Sequence, residues 1–188
     1  LFGPPFSPRL WRYKFEPRAG LDPTVVWREL HYGVGSVVAM TAWDVLIRRD
    51  AALGGGITRL SETLELSWGG FALLVLALGF LGDAHFYWVH RLLHASPWLY
   101  RTVHKVHHLS RNPNPLSGLS FHPIEATLYF SSLPLLACVL PMSPAVYTTQ
   151  KYALLLFPIA GHCGFGSTEH PLLAWLNHAH YLHHKLTH

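Results

Sequence analysis

Charge is scarce in this chain: 13% of its 188 residues are Asp, Glu, Lys or Arg, while 50% are hydrophobic. A soluble globule carries about 25% charged residues, so a membrane protein is the starting point. Cysteine is nearly missing. Cys138 and Cys163 have neither the number nor the spacing of a disulfide framework or a thiolate zinc site, so any bound metal is held by nitrogen. No basic run gathers the formal charge of +4, which argues against nucleic acid as a partner and for loops beside an anionic membrane surface. There is no G-x-G-x-x-G fingerprint for a resident dinucleotide. The opening LFGPPFSPRLWRYKFEPRAG lacks the apolar stretch of a secretory signal, and Leu1 in place of an initiating Met points to a fragment.

Apolar runs are what the chain has instead. Leu30 to Ile47 is mostly apolar, flanked by Arg28 and by Arg48 with Arg49, and predicts a first membrane helix despite His31 and Asp44. Leu66 to Gly82, containing FALLVLALGFL, runs 17 residues without a charge, close to the length that spans a hydrocarbon core of roughly 30 Å. Gly54 to Gly56 breaks regular structure between the two. From Ala126 to Gln150 there is again no charge, but Pro134, Pro141 and Pro144 interrupt the run, and a second run after Lys151 reaches Ala160. This predicts a helical hairpin turning near Pro141 to Pro144. Each arm, at about 15 residues and ~22 Å, can span with kinks or dip into the bilayer. Nine Lys or Arg lie before residue 30 and between residues 83 and 122, against three from Arg48 to Arg59. The positive-inside rule then places the N-terminus and the residues around 90–122 on the cytoplasmic side. The expected organisation is a cytosolic segment 1–29 followed by a membrane-embedded domain 30–188. Trp68, Trp88, Trp98 and Trp175 suit an interfacial belt.

Histidine is abundant, with 15 in the chain. His90 and His94 stand in HRLLH, His104, His107 and His108 in HKVHH, and His180, His183 and His184 in HYLHH; His122 and His162 stand alone. Neutral imidazole is the commonest protein ligand for Zn, Cu, Fe and Ni, and two H-x-x-H-H blocks in one short chain point to metal. On a helix, positions i, i+3 and i+4 share a face, so each block can aim its imidazoles at one point. Ser96-Pro97 favours a break that folds the second block back on the first. Two ions with five imidazoles each would use ten. Carboxylates commonly orient metal-bound histidines; of Asp83, Glu125 and Glu169, Asp83 and Glu125 are the better placed. Taken alone, His122 and His162 read as satisfied polar residues. His31, His85, His170, His178 and His188 lack the repeated spacing and are not expected as ligands.

The segments DAHFYWVHRLLH, LYRTVHKVHH, NPNPLSGLSFHPIEA, GHCGFG and HYLHHK, over roughly residues 83–188, resemble the membrane-bound fatty acid hydroxylase and sterol desaturase superfamily. The resemblance implies an all-α integral membrane helical bundle with a helical, histidine-rich cytosolic cap. It also implies a non-haem centre of two Fe ions ligated by His90, His94, His104, His107, His108, His122, His162, His180, His183 and His184, with Glu125 in support. Such a centre uses O2 and electrons from a carrier such as cytochrome b5 or a ferredoxin to hydroxylate or desaturate a lipid, and no catalytic residue is needed beyond the metal centre. Family members usually continue past the last HH with an Asn-Gly segment and a Trp-Asp element, so part of the cap is expected to lie beyond His188.

The leading reading is therefore a membrane di-iron lipid oxidoreductase, of the endoplasmic reticulum or a bacterial inner membrane. A sterol-type substrate is favoured on the SGLSFHPIEA segment. Two other readings are a catalytically idle member that serves as a lipid-binding or structural subunit, and a zinc-binding membrane protein or metal carrier. Convergence of ten imidazoles argues against the idle copy. Ligands arriving from five segments suit a closed site better than a transport path.

Overall fold

The computed structural model describes Phe15, residues 22–166 and residues 171–186. Most of segment 1–29 lies outside these residues, as do Glu169, His170 and His188. The described residues are helical with no β-strand, so the all-α expectation holds. Six helices carry the architecture: α1 Pro23–Ala52, α2 Trp68–Ala95, α3 Pro123–Phe130, α4 Ser132–Val139, α5 Pro144–Gly161 and α6 Pro171–Leu186.

Their starts follow from local chemistry. Asp22 accepts the Thr24 amide at 2.8 Å and is followed by Pro23, whose missing N–H would be unpaired in a first turn anyway. Ser67 and Ser143 cap α2 and α5 through the Gly70 and Val146 amides. At 30 and 28 residues, α1 and α2 are about 45 and 42 Å long. Both are long and apolar enough to cross a membrane, and only 11% of the most apolar window of each is buried within the protein. Val34, Val38, Leu73, Leu76 and Phe80 face outward, as they would toward lipid and would not on a water-soluble domain. Trp68, Trp88, Trp98 and Trp175 are likewise exposed. Asp44 is provided for within its apolar helix by Arg48 and by Lys151 of α5, each at 3.0 Å.

The helices run longer than their apolar cores because hydrogen bonding does not stop at the hydrocarbon boundary. Thus α2 continues past Gly82 to Ala95, and His90 and His94 ride on its last turns. The predicted reversal is present. Helix α4 ends at Val139, Leu140 is extended, and α5 starts at Pro144. This turn pairs with the loop between α1 and α2: the Arg59 amide donates to Ala137 O at 2.7 Å and the Ser61 amide to Met142 O at 3.0 Å. Both connections therefore lie at one end, where Ile47, Leu78, Leu133, Met142, Val146 and Tyr147 form a core. A second core of Leu119, Phe121, Ala126, Tyr129 and Phe130 includes Phe121, whose ring lies 4.8 Å from His107.

Candidate metal centre

Four histidine-bearing segments converge at the other end. Helix α2 ends at Ala95, and Ser96 turns extended before Pro97, as the Ser-Pro pair predicts. The chain then makes a single turn, Pro97–Leu99, a π-helical turn, Tyr100–His104, and a last α-turn, Lys105–His108. The π turn has no counterpart in the spacing argument, and such turns are frequent at functional sites. His162 follows α5 as its C-cap, and α6 delivers His180, His183 and His184.

Nine imidazoles form two groups, His90, His94, His104, His108 and His183 in one and His107, His162, His180 and His184 in the other. In the first, the Nε2 atoms of His90 and His183 are 2.9 Å apart, those of His94 and His183 3.2 Å, and His104 lies 3.0 Å from both His94 and His108. In the second, His162 Nε2 lies 2.9 Å from His180, 3.0 Å from His184 and 3.3 Å from His107.

A neutral imidazole has one N–H, and such a mesh cannot be satisfied by hydrogen bonds among its own members. Nitrogens held about 2.0–2.1 Å from one ion would sit roughly 2.9–3.3 Å apart, so the donor set fits a metal in each group. Two rings have their far nitrogen anchored as well: His104 Nδ1 lies 2.7 Å from Glu125 Oε1, and His162 Nδ1 donates to Pro158 O at 2.7 Å. Anchoring of this kind leaves Nε2 for the metal. Burial first, and then the charge of neighbouring imidazoles, holds His107, His108, His162 and His184 well below the usual histidine range. Both causes favour the neutral ring, the form in which imidazole can hold a metal.

The blocks divide in a way that spacing alone does not reveal. His104 and His108 join the first group while His107 joins the second; His180 and His184 join the second while His183 crosses to the first. Each block thus places its i, i+4 pair in one group and its i+3 member in the other. Neighbouring helical residues diverge by about 100°, so each HH doublet straddles the two groups. His107 and His108 have ring planes 83° apart. The division is five and four rather than five and five.

His122 is the ring left out. It is the N-cap of α3, and its Nδ1 accepts the Ile124 amide at 3.3 Å. Glu125 is buried against His104. Asp83 is exposed on α2 and lines a small groove with Ser132 and Gln150, seven residues and about 10 Å before His90. No hydrogen bond or ion pair joins it to a histidine among the described residues. His31, His85 and His178 also stay outside both groups.

Three features of the site carried no signal in the histidine pattern. Glu29 of α1 is fully buried, accepting from Ser110 Oγ at 2.5 Å and Asn114 Nδ2 at 2.7 Å. Ser110 follows the second block, and its amide donates to His107 O. Gly118 packs against Pro158, and Tyr100 stands beside the first group. Only the NPNPLSGLS segment marked this loop, and it assigned no partner to it.

The fatty acid hydroxylase family model matches residues 75–188, which hold all nine converging histidines. The chain belongs to the fatty acid hydroxylase family. Within the wider fatty acid hydroxylase and sterol desaturase superfamily it is 30% identical over 135 residues to human lathosterol oxidase, covering 70% of this chain and 45% of that protein. It is 32% identical over 126 residues to the Delta(7)-sterol 5(6)-desaturase ERG3B of Gibberella zeae, 66% of this chain and 38% of that one. To methylsterol monooxygenase 2-2 of Arabidopsis thaliana it is 33% identical over 101 residues, 53% and 37%. The chain thus spans under half the length of these relatives. No solved structure matches it.

Proposed function

We propose that this family member is the catalytic portion of an O2-dependent di-iron oxidoreductase that hydroxylates or desaturates a membrane lipid, with a sterol-type substrate favoured. One observation carries the reading: nine Nε2 atoms from four segments meet in two adjacent groups at one end of a helical membrane bundle. The sterol preference is supported by the relatives, named as a lathosterol oxidase, a sterol desaturase and a methylsterol monooxygenase.

His90, His94, His104, His108 and His183 would hold one iron, and His107, His162, His180 and His184 the other. Two irons bound there supply an oxidant, generated from O2, strong enough for an unactivated C–H bond. The chain's own residues position it. Glu125 and the Pro158 carbonyl orient His104 and His162 from behind, and Phe121 packs against His107 and keeps that side apolar. Both outcomes draw two electrons and two protons from outside the substrate. These fit delivery by a separate carrier, such as cytochrome b5 or a ferredoxin, on the cytoplasmic side to which the basic loops point. A lipid approaches from the apolar sides of α1 and α2, so that the oxidisable carbon reaches the histidine end without leaving the bilayer.

Metal analysis of the purified chain, together with O2 uptake in the presence of a reductant, tests this. The expected result is about two irons per chain and lipid-dependent O2 consumption. A well-folded, metal-free protein would overturn it in favour of an idle lipid-binding subunit.

A further inference from the structure

Tyr100 is held at both ends of its backbone. Its amide donates to Ser96 O at 2.8 Å, and its carbonyl accepts the Lys105 amide across the π turn. The backbone is set there, and the phenol ring lies against one group of histidines. Its centroid lies 5.4 Å from that of His94, 5.8 Å from His108 and 6.2 Å from His104, all members of the five-histidine group. The Tyr100 hydroxyl is buried without a hydrogen-bond partner among the described residues. A buried hydroxyl normally finds a partner in protein, water or a ligand, and this one lies beside a candidate metal group. The neighbouring group has the complementary property. A six-coordinate ion held by five imidazoles would keep one further position, and three of the five, His90, His94 and His183, are only partly buried. The four-histidine group is the more enclosed.

We infer that the Tyr100 hydroxyl is the hydrogen-bond donor to a small oxygen- or nitrogen-bearing ligand at the metal of the five-histidine group. The inference rests on the metal reading above. Tyr100 is then a ligand-contacting residue in a site otherwise lined by imidazoles. A single directional donor on one side of the open position favours small ligands that present a lone pair there, and it makes the two metal positions chemically unlike.

The test uses the full chain in detergent, loaded with iron, as wild type and as Tyr100→Phe, with azide as probe. Iron content is measured first; azide affinity is then read from the ligand-to-iron charge-transfer absorption. The expected result is unchanged iron in Tyr100→Phe with azide bound about tenfold more weakly, which corresponds to about 1.4 kcal/mol. Replacing the tyrosines by 3-fluorotyrosine, a stronger donor of nearly the same shape, should tighten azide binding and covers the case in which the Phe variant folds poorly. Equal azide affinity in iron-loaded wild type and variant would overturn the inference and leave the metal reading standing. A phenolate-to-iron absorption band in the azide-free wild type, lost in Tyr100→Phe, would overturn it by making Tyr100 a ligand itself. A wild-type chain that takes no iron overturns the metal reading and this inference with it.

Discussion

Gly118 lies directly against the carbonyl of Pro158: a Cβ at Gly118 would fall 2.5 Å from Pro158 O and 2.8 Å from the Cα of Ile159. The same carbonyl accepts His162 Nδ1 at 2.7 Å. A glycine in the loop after the second histidine block therefore controls how closely that loop approaches the support of a histidine in the four-membered group. Gly118→Ala cannot be absorbed by a side-chain rotation, because the obstruction is backbone. It should destabilise the protein by about 1–3 kcal/mol and lower metal retention in the four-histidine group. Thermal unfolding and metal content check this; wild-type values for both would mean that the backbones separate freely.

Glu125 acts on the other group. Its Oε1 lies 2.7 Å from His104 Nδ1, and it is buried. Removing such a partner typically weakens metal binding about 10–100-fold. Glu125→Ala should show that loss in a chelator competition. Glu125→Gln should lose less, since an amide oxygen still accepts from Nδ1–H. If the alanine variant competes as well as wild type, His104 is oriented by packing alone.

The ligand set separates three histidines. His107, fully within the four-histidine group, is expected to be indispensable: His107→Ala loses metal and activity. His31→Ala should lose neither. His122 belongs to the family pattern by resemblance but caps α3 here. His122→Ala should keep both ions and cost about 1 kcal/mol as a lost cap. Metal loss from His122→Ala equal to that from His107→Ala would make it a tenth ligand and reduce the capping contact to a secondary role.

How much of this was legible in the sequence depends on the kind of signal. The reversal between α4 and α5 could be read because Pro141 and Pro144 bracket it in an otherwise apolar stretch, and proline acts on the backbone locally. The histidine blocks could be read because helical spacing is periodic. Their division was hidden, since a block treated as one face ignores the turn between adjacent residues that sends His107 and His108 to different groups. The π turn at Tyr100–His104 has no residue signature at all. His122 was ambiguous for a chemical reason: an imidazole preceding a proline at a helix start is a plausible ligand and a plausible cap, and only its surroundings decide. Glu29 was concealed by its neighbour, because an Arg28-Glu29 pair at the edge of an apolar run reads as an interfacial pair facing solvent.

Glu29 shows what that edge does instead. It belongs to α1, outside the stretch matched by the family model, yet it accepts from Ser110 and Asn114 in the loop that leaves the second histidine block. Asn114 in turn orders the loop through the Leu116 amide and Ser117. Farther along α1, Ser36 Oγ donates to Leu119 O at 2.7 Å. Helix α1 therefore holds the site loop by polar contacts at both of its ends. Glu29→Ala strands two buried donors, and hydrogen bonds to a charged group are worth about 1.5–3 kcal/mol each. A loss of roughly 2–4 kcal/mol is expected after partial relaxation, with Glu29→Gln intermediate because Ser110 can reverse its hydroxyl while Asn114 keeps an acceptor. Unfolding of the three proteins in the same detergent measures the order. Should Glu29→Ala unfold with wild-type stability, the loop would have to be held by its internal turn alone, and α1 would serve the site only as a membrane anchor.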